Sequence, residues 1–365
     1  MTTPPRRQPG ATVAPSHADA TDGRTPRPMG VACRVCGADA GADHVEIREM
    51  MFGSRRAFGY RRCHACGSLS IDRIPDDLAS WYPHDYYAFS ASPSISQDPI
   101  WRRAAIRSLV GQRLFGTHGL GWSVARRIAT IPTELREISP LLQDAGLTSF
   151  DDPILDVGCG AMPVRLATLR KLGFRRLTGV EPFIPRSTTF QGVPVRKGYL
   201  GDIPGRYRLI MFHHSLEHVL DPLESMLQTA DRLAPDGRCI VRTPIADGEL
   251  WRRYGTDWVE LDAPRHTVVF SLVGLRRLAA RAGLEVVRVT WDSGHWEFIA
   301  SEQYRRDIGM FEPGSWFEDE SGSMFDDAAI EGFRAEARRL NAAGDAGRAA
   351  VWLRHAAGGG EAAEP

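Results

Sequence analysis

The feature that most constrains this chain is a short apolar strand that runs into a glycine-flanked turn and is answered by an acid one strand later. Ile154-Leu155-Asp156-Val157 reads as a buried strand, and Gly158-Cys159-Gly160 turns the chain out of it. Residues 164–172 then have a helical pattern, with the helix N-terminus pointing back at the turn. Glycine is required in such a turn because a Cβ would block close approach of the backbone to a ligand. The next strand, 177–181, ends in Glu181, which follows Gly160 by 21 residues. An acid at an offset of roughly 20 residues meets ribose hydroxyls in dinucleotide folds.

The same rhythm continues downstream. Short apolar runs at 209–212, 239–242, 285–290 and 296–300 read as strands, and 222–233 and 272–282 as helices, the latter capped by Ser271 and ended by Gly283. Strands alternating with helices predict an α/β, Rossmann-like sheet with right-handed crossovers. The organisation expected around it is a disordered segment at 1–30, rich in Pro, Thr, Arg and Ala, and a cysteine unit at 31–75. A helical linker or lid follows at 76–150, opening on an aromatic cluster that includes Trp81 and Tyr82. The core is placed at 151–310, a helical C-terminal extension at 311–357 (its helix over 326–357), and a disordered tail at 358–365.

Four of the six cysteines form two near-identical knuckles, Cys33-Arg34-Val35-Cys36-Gly37 and Cys63-His64-Ala65-Cys66-Gly67. Two such turns supply four thiolates, which predicts a structural zinc site on Cys33, Cys36, Cys63 and Cys66, with redox or iron–sulfur chemistry as the lesser alternative. A closed four-thiolate shell has no open position, so no catalysis is assigned to it. The unit is too small to hold a core alone, and metal binding would supply much of its folding energy.

No apolar run approaches the roughly 18–20 residues that span a bilayer. The first thirty residues lack the hydrophobic core of a secretion signal, so a cytoplasmic protein is expected. Formal charge is zero, with 45 basic and 45 acidic side chains, which excludes a global basic field for nucleic acid. A local basic-aromatic patch does exist, where Arg55, Arg56, Arg61 and Arg62 alternate with Phe58 and Tyr60.

Two details turn the reading away from a nicotinamide cofactor. The third position of G-x-G-x-x-G is Pro163, which serves a diphosphate poorly. Further on, Tyr207-Arg208-Leu209-Ile210-Met211-Phe212 precedes a Leu216-Glu217-His218 segment, and Pro235-Asp236-Gly237 leads into the next strand. In that order the chain resembles the class I S-adenosylmethionine-dependent methyltransferases. The resemblance implies that Asp156, Gly158 and Gly160 surround the methionine moiety, Glu181 holds the ribose, Asp202 lies near the adenine, and His214 contacts cofactor or substrate. Met162 stands where such families place a further glycine, which predicts crowding or a displaced turn.

With the two knuckles, the Tyr-Pro…Tyr-Tyr segment at 82–87, Ala263-Pro264-Arg265-His266 and Ser301-Glu302-Gln303-Tyr304, the chain is similar to a bacterial subfamily associated with surface glycans and secondary metabolites. That implies a small-molecule or glycan acceptor. Methyl transfer is an in-line displacement, and a hydroxyl or carbon acid also needs a base. His266 and His218 are the candidates, with His214 third. Arg265 is a candidate for an anionic substrate group or a bridge from lid to core, and Tyr254 and Trp258 for an acceptor pocket. The spacing His214-x-x-Glu217-His218 also resembles a metal-assisted O-methyltransferase variant. The alternatives left open are an RNA methyltransferase gripping RNA with its zinc ribbon, and a binding protein that has lost the cofactor.

Overall fold

The computed structural model describes residues 32–82, 99–117, 122–128, 141–142, 144–320 and 324–357. The segments expected to be disordered at 1–30 and 358–365, and much of the 76–150 linker, lie outside the described residues.

The strands, in chain order, are β1 (Ala42–Arg48), β2 (Ala57–Cys63), β3 (Leu69–Ile71), β4 (Ile154–Val157), β5 (Leu177–Glu181), β6 (Thr188–Phe190), β7 (Val193–Lys197), β8 (Tyr207–His213), β9 (Leu233–Pro244), β10 (Val268–Val269), β11 (Leu284–Trp291) and β12 (Arg348–His355). Eight of them form one sheet in the order β11-β12-β9-β8-β4-β5-β7-β6. From β9 through β8, β4 and β5 to β7 every neighbouring pair is parallel. This is the mixed α/β, Rossmann-like sheet that the sequence predicts. The chain leaves β4 toward β5 and β7, then returns to β8 on the other side of β4. That reversal is the switch point at which ligands bind in doubly wound sheets.

The helices follow from local chemistry. Asp221 caps Pro222–Arg232 by accepting from the Leu223 and Glu224 amides, with proline at the first helical position. Ser271 caps Leu272–Arg281 through the Gly274 amide.

Two elements differ from expectation. Residues 296–300 are not a strand but the middle of the helix His295–Tyr304. Every side chain from Glu297 to Ser301 is buried, so the segment carries no periodicity to separate helix from strand. The helix start at Gly294 and Glu297, where the Glu297 carboxylate accepts the Gly294 amide, settles it. Likewise the final helix ends at Ala343, and 348–355 is β12, inserted antiparallel between β9 and β11. Arg348 to Leu353 are all buried, the mark of a central strand covered on both faces.

The second sheet, β1-β2-β3-β10, joins the cysteine unit to the core, because β10 belongs to the loop after β9. Val35, Cys63 and Cys66 lie in the same apolar cluster as Leu155, Val180, Phe212, Val268, Phe270 and Leu275. The knuckles therefore share a core with the large sheet, which answers the problem of a unit too small to make its own.

Candidate active site

At the switch point the turn after β4 uses its glycines as expected. Gly158 and Gly160 have φ of +69° and +71°, a region L-residues rarely adopt. A Cβ on Gly158 would also come within 2.6 Å of Ser215 Cβ, from the facing loop. The amide of Gly160 donates to Glu181 Oε2 at 3.0 Å, and that of Phe183 to Oε1 at 3.0 Å. Burial pushes the Glu181 carboxyl up, and those two amides oppose the shift. Met162 has no positive φ, so its backbone conformation does not call for glycine.

Asp156 is buried beneath the turn and faces Arg165 at 3.5 Å. Burial pushes its carboxyl up to about 6, against the pull of Arg165, whose own guanidinium is brought down to about 10 by burial. Asp202 ends a short turn after β7, where its carboxylate accepts the Tyr199 amide at 2.8 Å, and its side chain is exposed.

The loops after β8 and β9 build the opposite wall. His214 has φ +54°, and its Nε2 accepts from Arg242 Nη1 at 2.9 Å while Nδ1 lies 3.4 Å from Glu217 Oε1. Burial, then the Arg242 charge, drives the His214 imidazole well below its ordinary range, so it is neutral. His218 and His266 meet edge to face with ring centroids 4.6 Å apart. His266 is the deeper of the two, and its Nδ1 donates to Glu260 O at 2.7 Å. His218 Nδ1 lies 2.9 Å from Arg265 O and 3.1 Å from the Tyr82 hydroxyl. Burial, then the neighbouring His266, lowers His218 to about 3.

Arg265 is fully buried, with Nη2 2.8 Å from Glu49 and 2.6 Å from Asp262. It is thus the bridge between the cysteine unit and the core, already engaged by two carboxylates. Tyr254 and Trp258, candidates for an acceptor pocket, are instead buried in the apolar cluster beneath the loop.

Three side chains at this site escaped sequence reasoning. Tyr82 lies in the aromatic cluster, whose composition gives no sign of which ring reaches His218. Phe183, two residues past Glu181, is 67% exposed and stacks on Tyr82 at 6.1 Å. Arg165 carries a legible signal, since a cation in the first turn of a helix opposes the helix dipole and calls for a local reason.

The four cysteines converge. Cys33 and Cys66 Sγ are 3.8 Å apart, as are Cys36 and Cys63, and all four sulfurs lie within 4.8 Å of one another. Zn–S bonds of about 2.3 Å in a tetrahedron put sulfurs roughly 3.8 Å apart, so the tetrad fits zinc. A disulfide would need about 2.05 Å.

No curated protein sequence matches the chain. Solved structures resemble it at low identity. A protein described as a putative sarcosine dimethylglycine methyltransferase from Galdieria sulphuraria is 17% identical, with a TM-score of 0.39 over 63% of this chain and 88% of that one. Geranyl diphosphate C-methyltransferase from Streptomyces coelicolor A3(2) is 15% identical, with a TM-score of 0.42 over 77% and 97%. The cyclopropane synthase MmaA2 from Mycobacterium tuberculosis is 15% identical, with a TM-score of 0.37 over 60% and 83%. Residues 124–289, which hold the glycine turn, Glu181, His218 and His266, match the family described as a methyltransferase domain.

Proposed function

We propose that the protein transfers a methyl group from S-adenosylmethionine to a small-molecule or glycan-type acceptor. The observation that carries this reading is the Glu181 carboxylate docked on the Gly160 amide at the switch point, inside the region that matches a methyltransferase domain. Gly158, Gly160 and Asp156 hold the methionine end, Glu181 the ribose and Asp202 the adenine end, while His214 shapes the wall between cofactor and acceptor. His218 and His266 form the catalytic side, with Tyr82 against His218. The cysteine tetrad holds a structural zinc, and the lid, core and C-terminal extension serve this one reaction.

The RNA alternative is weakened by what the basic patch already does. Arg55 pairs with Glu312 and Asp307, Arg61 with Asp72, and Arg56 with Asp77 while lying over Phe58 and Trp81. Arginines engaged by carboxylates and rings leave less charge for phosphates. Among the described residues no helix is long and apolar enough to cross a membrane.

Calorimetric titration with S-adenosylmethionine tests the reading. Binding is expected, and Glu181→Ala should weaken it by roughly 1–3 kcal/mol through lost hydrogen bonds to the ribose. A wild-type protein that takes up no cofactor would refute the function, and an unchanged Kd in the variant would refute the ribose role.

A further inference from the structure

Behind the acceptor wall lies a second cluster of metal-ligating side chains, distinct from the cysteine tetrad. Glu217, His218 and His266 each offer one donor atom, and the three atoms lie within 4.8 Å of one another. We propose that these residues bind a divalent first-row transition metal ion through two imidazoles and one carboxylate.

Three observations carry this. First, both imidazoles are oriented through their inner nitrogens. His266 Nδ1 sits 2.7 Å from Glu260 O, and His218 Nδ1 sits 2.9 Å from Arg265 O. A backbone carbonyl oxygen can only accept, so in each ring Nδ1 donates and carries the proton while Nε2 keeps its lone pair. This is the outer-shell arrangement that orients histidine for a metal. No hydrogen bond engages either Nε2 among the described residues; the nearest charged group to that of His266 is Asp262 Oδ2, at 4.0 Å.

Second, Glu217 is fully buried and only half satisfied. Its Oε2 accepts the Thr243 hydroxyl at 3.0 Å, while Oε1 makes no well-formed hydrogen bond and has only the distant Nδ1–H of His214, 3.4 Å away. A buried carboxylate oxygen without a well-placed donor is costly, and an ion bound there would remove the deficit.

Third, the donor set has a chemical preference. Two neutral imidazoles with one carboxylate suit zinc or iron(II) rather than magnesium or calcium, and such three-ligand sites keep positions open. Those positions would take an oxygen ligand, which makes a hydroxyl-bearing acceptor the natural partner. The surrounding bonds also explain the burial of polar groups in a loop that packing alone would fill with apolar side chains.

The experiment counts metal, so its outcome is independent of whether S-adenosylmethionine binds. Full-length protein stripped of metal is titrated with Co2+ and followed by absorption spectroscopy, with bound metal per chain measured by elemental mass spectrometry. Two equivalents are expected. One gives intense thiolate-to-cobalt bands from the cysteine tetrad, and the other gives only weak ligand-field bands from nitrogen and oxygen donors. Glu217→Gln and His266→Ala should each lose the second equivalent. Their retained thiolate bands would report that the ribbon is still folded. Saturation of the wild-type protein at one equivalent with a purely thiolate spectrum would overturn the proposal. So would a second equivalent that persists in both variants.

Discussion

Replacing Arg265 by methionine removes a buried charge that ties the cysteine unit to the loop after β9. Methionine keeps much of the stem's volume, so the change removes the guanidinium more than the packing. In the wild type that group lies between Glu49 and Asp262, donates to Trp81 O at 3.1 Å and sits 5.0 Å from the Phe52 ring centre. Glu49 and Asp262 are themselves buried, so the substitution strands two carboxylates away from water. Breaking a buried pair by removing one partner costs about 3–5 kcal/mol. Glu49 keeps the Phe52 and Ser54 amides at 2.9 and 3.0 Å, which soften its share. A net loss of about 4 kcal/mol is therefore expected, a large fraction of the roughly 5–15 kcal/mol that holds a domain together. Urea unfolding followed by tryptophan fluorescence measures it. The reasoning makes a second demand. Adding Glu49→Gln and Asp262→Asn removes the stranded charges, and the triple variant should recover most of the loss. Asparagine suits position 262, where φ is +34°. A single variant that loses less than about 1 kcal/mol, or a triple variant no more stable than the single, would refute the account.

Other expectations follow from the same geometry. Stripping metal from the tetrad should lower Tm and also raise hydrogen exchange across 266–274, because Ser271 Oγ donates to Cys66 O and β10 pairs with β3; an apo protein with unchanged exchange there would separate the two regions. Gly158→Ala should cost about 2–4 kcal/mol, from the left-handed φ and the overlap with Ser215, checked by urea unfolding; a loss under about 1 kcal/mol would mean the turn relaxes freely. Asp156 keeps its proton to about pH 6 in the folded state but releases it near 3.8 when unfolded. The folded state then binds more protons between those values, so this group's contribution falls as pH rises through that window, by at most on the order of 3 kcal/mol. Asp156→Asn should flatten that part of the stability–pH curve, and an identical slope in both proteins would show the carboxyl ionised in the fold.

How far the sequence can be read depends on the kind of signal each residue carries. Strand β5 and the helix Val164–Leu172 fall where the pattern puts them, because Gly173 ends the helix and Glu181 ends the strand. The segments 296–300 and 348–355 defeat the pattern for one reason: Glu297–Ser301 and Arg348–Leu353 are buried throughout, and a run without alternation has no period to reveal its geometry. At the site, the glycine turn and Glu181 are legible because close backbone approach leaves few choices of residue. Tyr82 is not, since its role depends on a contact 136 residues away along the chain. The place of Arg265 in a loop leaves a substrate anchor and a bridge to the core both open, and Glu49, which decides for a bridge, lies 216 residues away along the chain.

That long-range coupling bears on what the cysteine unit is for. Thr267 O accepts the Ile71 amide, the Tyr60 hydroxyl donates to His266 O at 2.8 Å, and Arg281 and Arg277 reach the carbonyls of Val35 and Ala65 inside the knuckles. Every one of these bonds runs between the cysteine unit and the segment 266–281. A separate nucleic-acid grip would need none of them, and would leave its arginines free. A scaffold that fixes the backbone of His266 needs all of them, because a loop of this length has too much conformational freedom to hold two imidazoles edge to face by itself. Metal in the tetrad would therefore act at a distance, by setting where His266 sits.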